Sequence, residues 1–470
     1  MVFSSMIFLW LFLPLTLVLY FASNDKIKNI IILVASLIFY AWGEPKYILL
    51  MLLSIFINYI IGLILDKHRK HGKLILIIDI AINIGLLGYF KYYNFFACNL
   101  NKLINNNFLS LKSIVLPIGI SFYTFQILSY VIDLYRDEIK VQKNFFNFAL
   151  YVSFFPQLIA GPIVKYRDVE KEISKRLVNI ELFASGVRKF VYGLGKKVIF
   201  ANTLALIADT IYSYDVSQLN TPVVWLAAIA YTLQIYFDFS GYSDMAIGLG
   251  RMFGFHFPEN FNLPYIAESI TDFWRRWHIS LSTWFKEYLY IPLGGNRKGK
   301  IRTYINLLIV FFVTGLWHGA SWNFVFWGGF YYGIILVLER IFFKKILDNN
   351  KFKFLNHVYV MLVVIIGWVI FRVDGLKNAF EYIKLMFNFN FNNIYVITPQ
   401  FINIKNYIII TLSIILCGPG QMLINKIKKC NSLKRIYSVY LETVVVSFIM
   451  IVCIFELVAS SYNPFIYFRF

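Results

Sequence analysis

Charged residues are scarce in this chain. They make up 15% of its 470 residues, whereas 59% are hydrophobic and the mean hydropathy is +0.65. Low-complexity linkers are also absent, and no internal repeat is evident. A chain of this composition has too little polar sequence for a series of soluble domains, and we expect one domain embedded in a membrane.

Cysteine and the common cofactor motifs are equally sparse. The four cysteines are scattered, form no CxxC pair and have no histidine at metal-ligand spacing; they are Cys98, Cys417, Cys430 and Cys453. Walker phosphate loops, dinucleotide fingerprints and HExxH sequences are absent as well. The sequence therefore predicts apolar, structural cysteines, and neither a metal site nor a bound cofactor.

Long apolar stretches are what the chain has instead. A helix needs roughly 20 apolar residues to cross a hydrocarbon core about 30 Å thick, and lipid offers its backbone groups no other partner. The candidate spans are 3–22, 28–42, 47–65, 74–90, 114–132, 189–208, 222–240, 304–317, 322–339, 356–371, 407–425 and 438–459. The predicted fold class is an all-α polytopic membrane protein with about eleven transmembrane helices plus re-entrant and amphipathic helices. The first stretch lacks the features of a cleavable signal peptide, so we expect it to remain as a span.

The excess of basic residues has two explanations, nucleic acid or a membrane surface. The formal net charge is +20, but the basic residues lie between the apolar stretches. The densest clusters of Lys and Arg are 66–73, 163–189, 340–353 and 426–435. The positive-inside rule and attraction to anionic lipid account for this distribution. We therefore expect membrane lipid as a partner, no nucleic acid, and these four loops in the cytoplasm.

One apolar stretch has to be broken to keep this topology consistent. If 146–162 crossed the membrane fully, the basic stretch 163–189 would lie outside. Pro156 and Pro162 permit a re-entrant hairpin there, provided that protein covers the interrupted backbone. This arrangement keeps 163–189 inside and places both termini on the extracytoplasmic side.

Residues 251–303 are too polar for a plain span and too aromatic for a plain loop. From Ser269 to Leu289 the apolar side chains recur at the spacing of one helical face, and Ser269 with Asp272 resembles a capping box. The spacing predicts one amphipathic helix at the inner interface or in a re-entrant dip, with His278 on its apolar face. Such a histidine is either a proton-transfer group or a core residue bonded to a backbone carbonyl.

A second histidine ends the next apolar stretch. His318 lies in Thr314-Gly-Leu-Trp-His-Gly-Ala-Ser-Trp322. Gly315 and Gly319 let backbone, substrate or a neighbouring helix approach closely. The tryptophans of this segment fit either the walls of a narrow tunnel or an aromatic belt at the membrane interface.

Polar residues in two other segments are candidates for supporting roles. Asp238 and Asp244 stand in apolar sequence and are expected to pair with Arg275 or Arg276, or to orient a histidine. The segment 290–300 is either a flexible basic turn or a receptor for the phosphates of a cytoplasmic donor, through its glycine amides and cations. The candidate donor-binding residues are Arg275, Arg276, Asn296, Arg297 and Lys298.

Six segments together carry a family resemblance. They are Leu116-Pro-Ile-Gly-Ile-Ser-Phe-Tyr-Thr-Phe125, Phe155-Pro-Gln-Leu-Ile-Ala-Gly-Pro162, Asp238-Phe-Ser-Gly-Tyr-Ser-Asp244, Asp272-Phe-Trp-Arg-Arg-Trp-His-Ile-Ser-Leu-Ser-Thr-Trp284, Tyr288-Leu-Tyr-Ile-Pro-Leu-Gly-Gly-Asn-Arg297 and Gly315-Leu-Trp-His-Gly319. In order and content they resemble the membrane-bound O-acyltransferase family, and within it the bacterial alginate O-acetylases and peptidoglycan O-acetyltransferases. The resemblance extends over most of the chain.

The resemblance implies an architecture and a catalytic pair. It implies a ring of helices around a central tunnel, built as one domain over the whole chain. Within that domain, 1–145 supplies N-terminal spans, 146–340 the re-entrant and catalytic core, and 341–470 the C-terminal spans and an outer aromatic tail. His318 is implied as the catalytic general base, and His278 as its companion.

The same resemblance implies the reaction. An acetyl group would pass from a cytoplasmic thioester, with acetyl-CoA as the donor substrate, across the plasma membrane of a bacterial cell. It would be used for O-acetylation of an extracytoplasmic cell-wall or secreted polysaccharide. A buried histidine can remove the hydroxyl proton of the acceptor, and a tunnel would align the two reactants.

The aromatic C-terminal segment 461–470 lies on the expected outer side. It is either an anchor at the membrane interface or, by resemblance to D-alanylation systems, a relay in which Tyr467 accepts the acyl group. The chain has no recognisable extracytoplasmic Ser/His/Asp domain of its own. We therefore expect a partner outside the membrane, an SGNH or esterase-like O-acetyltransferase that acts on the polysaccharide acceptor.

Three other functions compete with acetyl transfer. The nearest is D-alanyl transfer to teichoic acid from a carrier-protein thioester, although the Pro-Leu-Gly-Gly-Asn-Arg segment 292–297 favours the acetylase branch. A transporter would show an internal repeat and a midplane site on broken helices. A non-catalytic scaffold for polysaccharide export would work without either histidine.

The charge pattern generates a topology prediction. Single cysteines placed in the four basic clusters, in a Cys-free background, should resist a membrane-impermeant thiol reagent in whole cells. Cysteines at 213–219 or 395–400, where no Lys or Arg occurs, should react. All positions should react after the membrane is permeabilised. The reverse labelling pattern would overturn the assignment of donor and acceptor sides.

Overall fold

The computed structural model describes residues 1–392, 403–430, 435–460 and 462–466, and the regular secondary structure of these residues is helical, with no β-strand among them. Nine helices in this part of the chain are long and apolar enough to cross a membrane: Asp25–Gly43, Ile48–Lys67, Arg69–Ile104, Ile180–Tyr212, Thr221–Met252, Lys300–His318, Trp322–Phe343, Lys353–Arg372 and Tyr440–Ala459. Two shorter apolar helices, Phe8–Ala22 and Ile404–Leu416, fall within or beside other predicted spans. The predicted all-α polytopic fold class is confirmed.

Two predicted spans are interrupted in the structure, because proline and glycine stop the helix. In 114–132 the helix begins only at Ile120, since Gly119 adopts a left-handed φ of +77° and Pro117 precedes it. The predicted span 407–425 is wrong as a continuous helix. The helix ends at Leu416, and a new helix begins at Pro419. The backbone nitrogen of proline carries no hydrogen, so it cannot make the hydrogen bond that a continuous helix requires.

The chain forms two compact units. The first comprises Met1–Phe190 and Met245–Pro258. Its helices are Phe8–Phe12, Leu13–Ala22, Asp25–Gly43, Ile48–Lys67, Arg69–His71, Gly72–Leu87, Gly88–Tyr92, Tyr93–Ile104, Ile120–Tyr135, Phe145–Ser153, Phe155–Leu158, Tyr166–Ser174 and the start of Ile180–Gly195, together with the end of Thr221–Met252. Phenylalanines form part of its core, where Phe12 and Phe39 each lie 5.4 Å from the ring of Phe155.

The predicted break in 146–162 is present in the first unit. Helix Phe145–Ser153 ends at Phe154, and only the single turn Phe155–Leu158 follows before a non-helical stretch. The interrupted backbone is covered by protein, because residues 148–166 are buried throughout. Protein therefore surrounds this irregular backbone, which is the condition for tolerating it at membrane depth.

The second unit comprises Val191–Asp244 and Glu259–Phe470. Its helices are Lys196–Ala201, Asn202–Tyr212, Val216–Gln218, most of Thr221–Met252, Pro264–Ile266, Ile270–Arg276, Ile279–Phe285, Lys286–Tyr290, Lys300–His318, Trp322–Val325, Phe326–Tyr332, Gly333–Leu338, Glu339–Phe343, Lys344–Asn349, Lys353–Arg372, Leu376–Met386, Ile404–Leu416, Pro419–Cys430 and Arg435–Ala459. The most apolar 18 residues of Thr221–Met252 are 83% buried, whereas those of Tyr440–Ala459 are 6% buried. Helix Thr221–Met252 is therefore a core element, whereas Tyr440–Ala459 presents its apolar side chains outward, as a lipid-facing helix does.

Small residues allow a close helix contact next to His318. A methyl group on Gly328 would lie 2.8 Å from the Cα of Gly315, and one on Gly315 would collide with the carbonyl of Phe324. Helix Lys300–His318 therefore packs backbone to backbone against the π-helical turn Phe326–Tyr332, as the small residues around the histidine predict.

Candidate active site

His278 lies at a break between two short helices. The chain is helical over Ile270–Arg276 and again over Ile279–Phe285, and His278 between them adopts a left-handed φ of +44°. The prediction of one continuous helix is therefore wrong. The predicted N-terminus is right, since the Ser269 hydroxyl accepts a hydrogen bond from the backbone N–H of Asp272 at 3.0 Å.

Residues 14 to 19 positions earlier in the chain stabilise this break. The backbone N–H of Asn262 donates to the carbonyl of Arg276 at 2.9 Å, and the N–H of Ile279 donates to the carbonyl of Asn260 at 2.9 Å. The segment 260–262 thus provides partners for backbone groups at the interruption. Periodicity of apolar residues is unchanged by such a break, so the sequence pattern alone does not reveal it.

The structure brings the two predicted histidines to the same tryptophan. The ring centroid of Trp317 lies 5.9 Å from that of His278 and 5.0 Å from that of His318. Edge-on rings complete the surroundings: Phe239 lies 4.6 Å from His278, and Trp327 lies 5.2 Å from His318. Both imidazoles therefore share one aromatic environment.

The two histidines differ in accessibility. His278 is 1% exposed, whereas His318 is half-buried at the C-terminal end of helix Lys300–His318. Burial, and to a lesser extent the charge of neighbouring His318, lowers the pKa of His278 well below its ordinary value of 6.5. His278 is therefore a neutral imidazole near pH 7, and His318 is the one that a substrate can reach more easily.

A buried asparagine contacts His278. Asn260 Oδ1 lies 3.1 Å from Nδ1 of His278 and also accepts hydrogen bonds from the backbone N–H and the hydroxyl of Ser280, at 3.2 Å and 2.9 Å. Its amide nitrogen donates to the hydroxyl oxygen of Ser243 at 3.0 Å. Sequence reasoning missed Asn260, which carries no periodic or motif signal of its own.

Asp238 and Asp244 pair with lysines rather than with Arg275 or Arg276, so the predicted partners are wrong. Lys197 Nζ lies 2.8 Å from a carboxylate oxygen of Asp238, with both side chains at most 3% exposed, and Lys196 Nζ lies 2.6 Å from Asp244. Two adjacent lysines inside a predicted apolar span were the overlooked signal, because buried lysines need counter-ions.

Local geometry explains these ion pairs. The helix takes a π-helical turn over Lys196–Ala201, which widens it just where the two lysines occur. Opposite them stands Gly241, midway between the two aspartates, where a methyl group would lie 2.8 Å from the carbonyl oxygen of Gly193. The glycine lets the two helices approach closely enough for both pairs to form.

The described part of the C-terminal tail is docked on both helices of these ion pairs, Lys196–Ala201 and Thr221–Met252. The backbone N–H of Ile466 donates to Asp238 at 2.8 Å, and Lys197 donates to the carbonyl of Pro464. The Phe465 ring lies 4.6 Å from that of Tyr242. Tyr467, the predicted relay, lies outside the described residues.

The candidate donor-binding residues fall in two places. Arg276 forms an ion pair with Asp272 at 2.9 Å, and Arg275 is exposed. Asn296, Arg297 and Lys298 are exposed in the glycine turn that follows Lys286–Tyr290. These exposed cations are chemically suited to phosphate, and donor binding stays a prediction.

The glycine turn is held by residues that the sequence did not single out. Gly294 and Gly295 have φ values of +106° and +52°, which favour glycine. The buried Asn306 side chain donates to the carbonyl of Gly295 at 3.1 Å, and the Tyr290 hydroxyl donates to Asn296. The turn therefore has a defined anchor on helix Lys300–His318.

A cavity of about 1250 Å³ lies in the first unit and contains none of the predicted site residues. Its walls carry both signs of charge, including ion pairs of Arg69 with Asp66 and Asp137. Paired charges leave little net field for an anionic donor, so we do not assign the donor to this cavity. In the described residues, no group of three or more His, Cys, Asp or Glu is arranged to hold a metal ion.

Comparison with known proteins gives a consistent result. The family model described as MBOAT, membrane-bound O-acyltransferase family, matches residues 34–380. The chain is 39% identical to the "Probable alginate O-acetylase AlgI" of Pseudomonas putida, over 100% of both chains. It is 45% identical to the protein of the same name from Pseudomonas aeruginosa, over 83% of this chain and 75% of the relative. Identity to the "Peptidoglycan O-acetyltransferase" of Helicobacter pylori is 37%, over 83% and 80%.

The buried ion pair generates a stability prediction. Lys197→Met leaves the Asp238 carboxylate buried without its counter-ion and should cost roughly 3–5 kcal/mol. Adding Asp238→Asn removes the uncompensated charge and should recover a large part of that loss. The measurement is thermal unfolding of the purified protein in detergent.

The matched control is Lys405→Met, because Lys405 pairs with Glu456 at 2.8 Å with 58% and 33% of the two side chains exposed. An exposed pair of this kind contributes about 1 kcal/mol or less. Equal destabilisation by the two lysine variants would contradict a structural role for the buried pair.

Proposed function

The chain belongs to the membrane-bound O-acyltransferase family and is an O-acyltransferase, and from this we propose that it transfers acetyl groups for O-acetylation of an extracytoplasmic polysaccharide. The acetyl donor is a cytoplasmic thioester, acetyl-CoA, and the final acceptor is a cell-wall or secreted glycan. The protein is a multi-pass membrane protein, and we place it in the bacterial plasma membrane with both termini outside.

The names of its relatives support the acetyl group and the polysaccharide class. The compared proteins from two Pseudomonas species are named for alginate and the one from Helicobacter pylori for peptidoglycan. These glycans differ in charge and composition but share hydroxyl groups as acetylation sites. We therefore propose the reaction class for this chain and leave the glycan to experiment.

The observation that carries the proposal is the pair of histidines against Trp317. His318 is half-buried and reachable, while His278 is buried and neutral beside it. A hydroxyl group attacks a thioester slowly while it keeps its proton, and an imidazole is suited to remove that proton near neutral pH. An aromatic site also limits access of water, which would otherwise hydrolyse the thioester.

In the proposed reaction His318 acts as the general base. His318 removes the proton from the acceptor hydroxyl as its oxygen forms a bond to the thioester carbonyl carbon. The tetrahedral intermediate then collapses, the carbon–sulfur bond breaks, and the departing thiolate takes the proton from the imidazolium. The products are an acetyl ester and the free thiol, and His318 returns to its starting state.

We further propose that Tyr467 is the first acceptor and that an SGNH or esterase-like partner outside the membrane completes transfer to the glycan. The docking of Phe465 and Ile466 on the helix Thr221–Met252 supports this, and Lys197 in the turn Lys196–Ala201 binds the carbonyl of Pro464. The same helix carries Phe239, which packs on His278. A phenol, with a pKa near 10, needs a base to attack, and its ester is a good acyl donor.

His318→Ala should leave the protein folded and inserted but reduce transfer by on the order of 10²–10⁴-fold, because the hydroxyl proton then has no positioned acceptor. His357→Ala is the control, since His357 lies in helix Lys353–Arg372 and has no proposed role. Purified proteins are supplied with labelled acetyl-CoA or with a labelled D-alanyl carrier protein. If the His318→Ala variant turns over at the wild-type rate, His318 is not the general base. If the wild-type protein transfers only from the D-alanyl carrier, acetyl-CoA is not the donor.

Tyr467→Phe should abolish glycan acetylation in cells, because the relay hydroxyl is lost while the aromatic ring is kept. Tyr440→Phe is the control, since Tyr440 is 70% exposed on the last long helix. Mass spectrometry of the wild-type C-terminal peptide should detect acetyl on Tyr467. If the Tyr467 variant acetylates the glycan fully, the segment is an anchor and the relay is excluded.

A further inference from the structure

We propose that Asn260 is a positioning residue that holds His278 with its proton on Nδ1, so that Nε2 presents a lone pair to the reaction. The proposal rests on the function proposed above and adds a residue and a protonation state to it. It assigns His278 the role of proton or hydrogen-bond acceptor and excludes it, in its neutral form, as a donor to the developing oxyanion.

The first step is the orientation of the Asn260 amide. Its oxygen and nitrogen are distinguished here by a partner that can only donate, the backbone N–H of Ser280 at 3.2 Å. The Ser280 hydroxyl bonds to the same atom at 2.9 Å, and the opposite end of the amide reaches the hydroxyl of Ser243 at 3.0 Å. The atom facing His278 is therefore the amide oxygen.

The second step is the position of the histidine proton. An amide oxygen has no hydrogen to give, so the 3.1 Å contact requires Nδ1 of His278 to donate. A neutral imidazole carries a single N–H, and using it at Nδ1 leaves Nε2 unprotonated. In the part of the chain that the structure describes, this buried Nε2 has no hydrogen-bond partner.

The third step is the confinement of the ring. His278 is 1% exposed, and the rings of Phe239 and Trp317 lie 4.6 Å and 5.9 Å from it. Its backbone has a φ of +44°, a conformation that costs a non-glycine residue free energy and persists only where the surroundings enforce it. The segment that enforces it contains Asn260, whose carbonyl accepts from Ile279.

Together these contacts define what His278 can do. A buried acceptor without a partner is unfavourable until something donates to it, and the acceptor hydroxyl or protonated His318 supplies such a donor during the reaction. Both histidines contact Trp317, which puts His278 in the same aromatic environment as the proposed base. Asn260 thereby acts through His278 and needs no contact with either substrate.

Two substitutions separate positioning from packing. Asn260→Leu keeps the approximate size but removes the acceptor, so both tautomers become accessible and kcat should fall by on the order of 10²-fold with KM little changed. Asn260→Asp keeps an acceptor and should retain more activity than Asn260→Leu. Its negative charge favours the protonated imidazole, so the acidic limb of the kcat profile should move to higher pH.

Asn356 offers matched controls. It is also buried, and it donates to the carbonyl of Leu347 at 2.9 Å and accepts from Asn350 at 2.7 Å, neither of which has a proposed role. Asn356→Leu and Asn356→Asp should alter thermal stability without moving the pH profile. If the Asn260 variants behave like these controls, with an unshifted profile, Asn260 is a packing residue and the proposal is overturned.

The tautomer itself is read by nitrogen-15 NMR of protein labelled at its histidine side chains. The chain has six histidines, so the signals of His278 are identified by their loss in His278→Gln. We expect a protonated Nδ1 and an unprotonated Nε2 in the wild type, and a mixture in Asn260→Leu. A wild-type signal showing the proton on Nε2 refutes the proposal.

The spectroscopic measurement does not depend on enzyme activity. If Asn260→Leu fails to fold, the wild-type protein and His278→Gln are sufficient to determine the tautomer. An inactive wild-type protein with the expected tautomer would contradict the proposed donor or reaction while leaving the Asn260 contact standing. An active wild-type protein with the proton of His278 on Nε2 would refute the role of Asn260 while leaving the proposed acetyl transfer standing. The two proposals therefore fail separately.

Discussion

The ion pair between Lys197 and Asp238 is the interaction on which much of the second unit depends. Two charges removed from water are tolerated only when they neutralise each other and their remaining polar atoms find partners. Here the backbone N–H of Ile466 supplies one such partner, so the pair holds two helices and the C-terminal tail together. Phe239 is the next residue on the same helix and packs on His278, which links this electrostatic anchor to the proposed chemistry.

The aromatic surroundings of the histidines serve two chemical requirements at once. Low polarity keeps His278 neutral, because charging a buried imidazole is costly. The same low polarity limits access of water, which would compete as acceptor for the proposed thioester donor. Close backbone packing at Gly315 and Gly328 is what brings Trp327 against His318. Small residues and large rings thus act together, the first by allowing approach and the second by filling the space that remains.

The break in the helix and the orientation of the imidazole have one origin. The segment that pairs with the interrupted backbone is the segment that carries Asn260, so its main chain stabilises the break while its side chain contacts His278. A histidine in a continuous helix would lack this arrangement. The left-handed backbone at His278 is therefore part of how the site is built, and its free-energy cost is offset by the contacts around it.

Much of this protein was determined by the sequence alone. Continuous apolar stretches of about 20 residues form helices in lipid, since a helix satisfies every backbone group within the segment itself. Local chemistry was equally predictable, as with the N-cap at Ser269, because a serine and the amide that it caps are close in sequence. The ordered motifs around His278 and His318 indicated the family before any contact was known.

Tertiary structure alone decided the rest, because the deciding contacts join residues far apart in the chain. Apolar periodicity continues through His278 without interruption, and the hydrogen bonds that break the helix come from residues some way before it. Opposite charges in sequence allow several pairings, and the close packing of two helices at Gly241 is what places Lys197 beside Asp238. The contact of Asn260 with His278 likewise spans 18 positions. A linear pattern indicates which segments enter the membrane, whereas the partner of a buried polar group depends on which helices meet.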